Sequence, residues 1–177
     1  KTSAPSVEEY KNFFEENLKG YDALIHYNIS AKASSSHSNA AIAAQSFGGK
    51  VYAIDSMALS TGQGLLVLKA CDLASEGRTP ADIAKITEDL RANVNTSFVP
   101  DALDYLHKGG RCSLAALMGA KVLKLHPMID MKDGKLYAKK KYMGNLERAL
   151  KSYVNDLASD YRDYDKTRCF ITHSSCE

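Results

Sequence analysis

Ala23-Leu24-Ile25-His26-Tyr27-Asn28-Ile29 and Val51-Tyr52-Ala53-Ile54-Asp55-Ser56 are the two passages whose reading decides the fold. Each is an apolar run of strand length that ends in polar residues. Between them lie a hydroxyl-rich stretch, Ser30 to Ser36, and a small-residue stretch, Asn39-Ala40-Ala41-Ile42-Ala43-Ala44, which reads as a helix. Strand, helix, strand is the pattern of a parallel βαβ unit. In such sheets the loops leaving the carboxyl ends of the strands form the ligand crevice. Here those loops are Ser30–Ser36 and Asp55–Gly64, both rich in hydroxyls and poor in charge. Loops of that kind hold the polar end of a ligand by hydrogen bonds rather than by ion pairs.

Working outward, Ser6 is placed to cap a helix whose first turn carries Glu8 and Glu9, with Tyr10, Phe13, Phe14 and Leu18 at helical spacing and Gly20 as its stop. Beyond the second strand, Ser60-Thr61-Gly62-Gln63-Gly64 leads into a helix expected over Leu65 to Glu76, closed by Gly77. Thr79-Pro80 then opens another, running to about Asn93. From Thr96 the texture changes. Ser97 to Pro100 is strand-like, Ala102 to Leu106 a short helical turn, and Leu114 to Leu123 an apolar helix. His126 to Met131 and Lys135 to Lys141 read as strands joined at Asp133-Gly134, a strong hairpin signal. An amphipathic helix follows from Leu146 to Tyr161, with Leu146, Leu150, Tyr153, Val154 and Leu157 on one face, and Cys169 to His173 reads as a further strand. The expected fold class is therefore α/β. A parallel-sheet α/β domain over residues 1–95, incomplete at its N-terminus, precedes a smaller α+β domain over 96–177. The second has a mostly antiparallel sheet and is incomplete at its C-terminus.

Composition narrows the function. Among 177 residues, 45% are hydrophobic and 25% charged, the profile of a soluble globular protein. A net charge of +2 with no clustered basic face argues against nucleic acid. No run approaches the roughly 20 apolar residues of a membrane-spanning helix, so membrane insertion is not expected. Lys139-Lys140-Lys141 has no acidic neighbour for several residues on either side; it reads as a solvated strand end or as a docking patch for an acidic partner. Cys71, Cys112, Cys169 and Cys176 lack metal-ligand spacing, and Cys71 reads as a small core residue. Reduced thiols in a cytoplasmic protein without metal or cofactor are the expectation. The chain opens on Lys1 with no signal-peptide pattern, which suggests a cut.

The motifs in order resemble a known family. Thr2-Ser3-Ala4-Pro5-Ser6 is similar to the Thr-Ser-x-Pro-Ser segment of DegV-like bacterial fatty-acid-binding proteins. Ile29-Ser30-Ala31-Lys32-Ala33-Ser34-Ser35-Ser36 is similar to their Ile-Ser-x-x-Leu-Ser-Gly-Thr loop. Val51 to Ser56 with Ser60-Thr61-Gly62-Gln63-Gly64 resembles their Val-x-Val-Ile-Asp-Ser…Thr-Gly-x-Gly stretch. Phe98 to Arg111 resembles their Phe-Val-x-Asp-Thr-Leu-x-Tyr-Leu-x-Lys-Gly-Gly-Arg, and His126-Pro127-Met128 with Asp133-Gly134-Lys135 continues it. The resemblance implies a long-chain fatty acid bound between two domains, its carboxyl group meeting the hydroxyls at Thr2 and Ser34. It implies a non-catalytic carrier whose partner is a fatty-acid kinase subunit that phosphorylates that carboxyl group. This sequence departs from the pattern at Ala33 (usually Leu), at Ser35-Ser36-His37 (usually Gly-Thr-Tyr) and at the apolar Met143. Family members also begin about one βα unit earlier and end in a His-Thr-Gly-Pro-Gly-like segment, so a weaker or absent ligand is expected for this chain.

A second class of function competes. Ser34 and His37, three residues apart, are a conceivable nucleophile and base for a small-molecule hydrolase on an α/β scaffold, although no Gly-x-Ser-x-Gly elbow is present. Arg111, after Gly109-Gly110, reads as a cap of the preceding turn rather than as a residue at the mouth of a ligand tunnel.

Overall fold

The computed structural model describes residues 3–111 and 125–174. In chain order the elements are α1 (Val7–Asn17), β1 (Leu24–Asn28), α2 (Ser36–Ala44), β2 (Val51–Asp55), α3 (Ser60–Ser75), α4 (Pro80–Leu90), β3 (Ser97–Phe98), α5 (Asp104–Lys108), β4 (Leu125–Lys132), β5 (Lys135–Met143) and α6 (Leu146–Asp160). They fall into two compact units. Among the described residues, the first comprises 3–96 together with Met131–Lys135, and the second 97–111, 125–130 and 136–174.

In the first unit β1 and β2 pair in parallel, with Leu24 opposite Val51 and Asn28 opposite Asp55. Helices cover this small sheet, as a parallel pair requires. On one side Tyr27 and Ile54 pack with Leu66, Ala70 and Leu73 of α3 and Ile83 and Ala84 of α4. Another cluster joins Tyr10 and Phe14 of α1 to Ala40 and Ala43 of α2 and to Val51. Full burial of a side chain such as Leu66, 1% exposed, contributes about 1.5–3 kcal/mol.

Local chemistry sets the helix ends. Ser6 caps α1 through a reciprocal box: its hydroxyl accepts from Glu9 N at 3.2 Å, and the Glu9 carboxylate accepts from Ser6 N at 2.7 Å. Thr79 accepts from Asp82 N, and Pro80 occupies the first turn of α4. Helix α3 begins at Ser60, five residues before the expected Leu65, so Gly62 and Gly64 lie inside it. Cys71, expected in the core, is exposed on this helix.

In the second unit the sheet order is β3-β4-β5, with β3 antiparallel to β4. Asp133 and Gly134 both take positive φ and form the turn between β4 and β5. Met128, Tyr142 and Ala149 form one core cluster, and Leu103 with Ile129 another. Of the expected apolar face of α6, Tyr153 and Leu157 pack against the first of these clusters, and Leu146 and Leu150 are half-buried. Val154 is 58% exposed, while Ala149, not expected on that face, is fully buried. The basic run does have acidic partners, supplied by β4 and α6. Lys139 Nζ lies 3.5 Å from both Asp130 and Asp160, and Lys140 Nζ lies 2.6 Å from Asp156. Tyr142 donates to the same Asp156 carboxylate at 2.7 Å. These donors, Lys140 first, hold the Asp156 carboxyl below the usual carboxylate range.

Cys169 to His173 is not a strand. Ile171 is 91% exposed, and strand-forming residues adopt a strand only with a hydrogen-bonded neighbour. The apolar helix expected over Leu114 to Leu123, together with Cys112 and Cys176, lies outside the described residues. No helix among the described residues is long and apolar enough to cross a membrane.

Candidate functional site

The parallel pair ends at Asn28 and Asp55, and from these ends the two hydroxyl-rich loops depart side by side. Ser56 N donates to Asn28 O at 3.1 Å, and Ser30 N to Ala58 O at 2.9 Å. Asp55 ties both loops: one oxygen, Oδ1, accepts from Ala31 N at 3.1 Å and from Met57 N at 2.9 Å. Arg91 donates to Asp55 O at 3.1 Å, and Gln63 Nε2 donates to Tyr27 O at 2.9 Å. Carbonyls at the end of the sheet are thus satisfied by side chains arriving from α3 and from the turn after α4, and the loop amides by Asp55 of β2.

Two buried serines anchor these loops. Ser56 is fully buried and its hydroxyl turns back onto Ala58, accepting from Ala58 N at 3.2 Å. Ser30 is also fully buried; its hydroxyl accepts from Lys32 N at 3.3 Å and donates to Gly134 O at 2.6 Å. The second loop carries left-handed backbone at two non-glycine residues, Met57 (φ 52°) and Ser60 (φ 46°). Such conformations cost on the order of 1–3 kcal/mol each, and they concentrate where a loop has a task beyond connection.

Ser34 is half-buried, two residues before α2. Its amide donates to Ser30 O at 3.1 Å. Its hydroxyl accepts from Ser36 N at 3.2 Å and shares a hydrogen bond with Ser36 Oγ at 2.8 Å. Ser35 is the formal cap of α2 but makes no side-chain cap bond, so Ser34 supplies an acceptor to the first turn. If Ser36 donates in the shared bond, the Ser34 O–H retains its proton for a ligand oxygen. The adjacent helix N-terminus favours negative charge there.

Of the residues singled out from sequence, Thr2 lies outside the described residues. Ser34 and His37 do not form the bond that a nucleophile and its base require. Ser34 Oγ is engaged with Ser36, and His37 Nδ1 is buried without a hydrogen-bond partner. Nearby His26 lies edge-on to the rings of Tyr10, Phe13 and Phe14 and contacts Asn28 Nδ2 at 3.1 Å. Burial first, and the proximity of His37 second, push the His26 pKa down. Arg111 bonds back to Gly109 O, as a cap does. Ser30, Asp55 and Gly134 emerge as supporting residues that sequence reading did not assign. The one available signal was that Asp55 ends a strand, where a carboxylate is free to collect loop amides. Among the described residues no group of three His, Cys, Asp or Glu is arranged to hold a metal ion.

Comparison with known proteins adds family context. A family model described as "Uncharacterised protein, DegV family" matches residues 1–177. A DegV domain-containing protein of Deinococcus radiodurans is 30% identical over 163 residues, covering 92% of this chain and 56% of that protein. A solved structure described as fatty acid binding of a DegV family protein from Thermus thermophilus is 31% identical with a TM-score of 0.72. It covers 86% of this chain and 56% of its own. The fold is shared too with the Fatty Acid Kinase B3 protein of Streptococcus pneumoniae loaded with linoleic acid (TM-score 0.76, 22% identity, 89% of this chain and 57% of that one). The chain thus spans a little over half the length of these relatives.

Proposed function

The chain belongs to the DegV family, and from that premise we propose that it contributes the head-group side of a long-chain fatty-acid site in a non-catalytic carrier. The carboxyl group is held by the hydroxyls of Ser34 and Thr2 and is presented to a fatty-acid kinase, which phosphorylates it. The bound acid is a ligand, no cofactor takes part, and the carrier works in the cytoplasm.

One observation carries this reading. Ser34 is a half-buried hydroxyl at the carboxyl end of a parallel sheet, beside a helix N-terminus, and it is held by neutral partners alone. A carboxyl group entering such a place is met by hydrogen-bond donors and a favourable dipole. A fixed counter-charge would hold the acid against transfer, and these partners supply none. Burial of the tail at about 0.8 kcal/mol per methylene supplies the affinity. The Thermus thermophilus relative, whose description names fatty acid binding, supports the ligand class.

The test is native mass spectrometry and lipid extraction of the intact natural protein. One long-chain fatty acid per protein is expected, with the lipid content lowered by Ser34→Ala. Recovery of no lipid, together with ester hydrolysis that Ser34→Ala abolishes, would overturn the carrier reading.

A further inference from the structure

Ser34 lies in a short loop whose shape depends on one buried residue. Both Ala33 N, at 2.9 Å, and Ser34 N, at 3.1 Å, donate to the Ser30 carbonyl. The Ser30 side chain is fixed in turn by its 2.6 Å bond to Gly134 O, at the turn of a hairpin 104 residues away in sequence. The turn residues Met131–Lys135 belong to the same compact unit as the loop. At Gly134 the backbone is left-handed (φ 75°), and a Cβ there would stand 2.7 Å from Ser30 Oγ and 3.8 Å from the Lys32 side chain. Ser30 is fully buried, so it has no room to retreat. Gly134 therefore meets two demands. Its φ suits the turn, and its missing side chain lets its carbonyl reach the loop.

We propose that Gly134 is the positioning residue of the Ser34 loop, acting through Ser30 to set where the Ser34 hydroxyl meets the ligand. The ligand part of this inference rests on the fatty-acid reading above; the positioning part does not. An alanine at residue 134 drives Ser30 from its place, loosens the two amides held by the Ser30 carbonyl and misplaces Ser34. Placement errors of about an ångström matter because a hydrogen bond weakens steeply as its angle and length depart from the preferred range.

The experiment uses the intact natural protein with oleate as probe, and hydrogen exchange at the Ala33 and Ser34 amides as a readout independent of ligand. Gly134→Ala is expected to weaken oleate binding by about tenfold, the scale of one lost buried hydrogen bond, and to speed exchange at both amides. Gly49→Ala is the control. Gly49 has a similar φ of 83° with nothing within 4 Å of its built Cβ, so it carries the backbone strain without the collision and leaves both readouts unchanged. In a Ser34→Ala background, Gly134→Ala is expected to remove little further affinity, because its effect passes through Ser34. Should Gly134→Ala fail to fold, Ser30→Ala removes the same bond without adding an atom and is expected to speed the same exchange. Unchanged protection of Ala33 and Ser34, or an undiminished affinity loss in the Ser34→Ala background, would overturn the proposal. A wild-type protein that takes up no oleate, with the two amides still loosened by Gly134→Ala, would remove the fatty-acid reading and leave the positioning role standing.

Discussion

The hydroxyls of Tyr27 on β1 and Thr87 on α4 meet at 2.6 Å in the core of the first unit. Thr87 also donates to Ile83 O at 2.8 Å, so Tyr27 donates to Thr87 and Thr87 to its own helix. The two partners are therefore unequal. Thr87→Val strands a buried Tyr27 hydroxyl and is expected to cost about 1–3 kcal/mol, whereas Tyr27→Phe leaves Thr87 with a carbonyl acceptor and costs about 0.5–1.5 kcal/mol. Urea unfolding of the two variants measures the difference; equal losses would refute the direction of the bond.

Gly62 and Gly64 sit in the same turn of α3 and are expected to respond oppositely to alanine. A Cβ at Gly64 meets nothing within 4 Å, so Gly64→Ala should stabilise by about 0.5–1 kcal/mol through helix propensity. A Cβ at Gly62 would overlap Thr96 Oγ1 and stand 3.2 Å from Ala58 Cβ. Gly62→Ala should therefore destabilise in spite of the same propensity gain, by about 1–3 kcal/mol. Thermal melts of the two single variants decide it.

Acid should weaken the first unit through His26. Its pKa lies below the ordinary 6.5 because burial, and then His37, disfavour the imidazolium. Below pH 6.5 the unfolded chain gains a proton at this residue that the folded chain resists, so stability is full above that pH and is lost as pH falls toward the folded pKa. Unfolding free energy should thus fall between pH 7.5 and 5.5, and His26→Gln should flatten the slope. An unchanged slope in the variant would assign the acid sensitivity to other groups.

On the proposed fatty-acid reading, Ser34→Ala should lower oleate affinity by roughly ten- to a hundredfold, the scale of a hydrogen bond to a charged acceptor. Ser35→Ala, whose side chain makes no cap bond, should change it little. Isothermal titration with oleate compares them, and equal effects of the two changes would remove the special role of Ser34.

The parallel pair was legible because β1 and β2 are short apolar runs closed by polar residues, and α1 and α4 because Ser6 and Thr79 are local capping signals. Local rules failed where a distant residue decides. The run holding Gly62 and Gly64 reads as a lead-in to a helix starting at Leu65, yet both glycines are helical, and Gly62 is required by the approach of Thr96, 34 positions on. Lys139 and Lys140 seemed unbalanced in sequence because their carboxylates, Asp156 and Asp160, arrive from α6. On α6, Ala149 is buried and Val154 exposed because the stripe that meets Met128 and Tyr142, and not hydrophobicity alone, decides burial. At the site, Ser34 was named from a family pattern, while its supports Ser30 and Gly134 lie 104 residues apart and left no local trace.

The bond between Ser30 and Gly134 also bears on how the chain is made. Most of the first unit is in hand once residue 96 has been synthesised, yet its last turn, Met131–Lys135, emerges some forty residues later. At about 5–20 residues per second, a nascent chain spends on the order of seconds with the Ser30 hydroxyl lacking its final acceptor. During that interval the helices and the parallel pair can form from contacts already translated, while the loop that carries Ser34 stays unfinished. The final shape of the Ser34 loop would then be a late event in biosynthesis, timed by the arrival of one glycine.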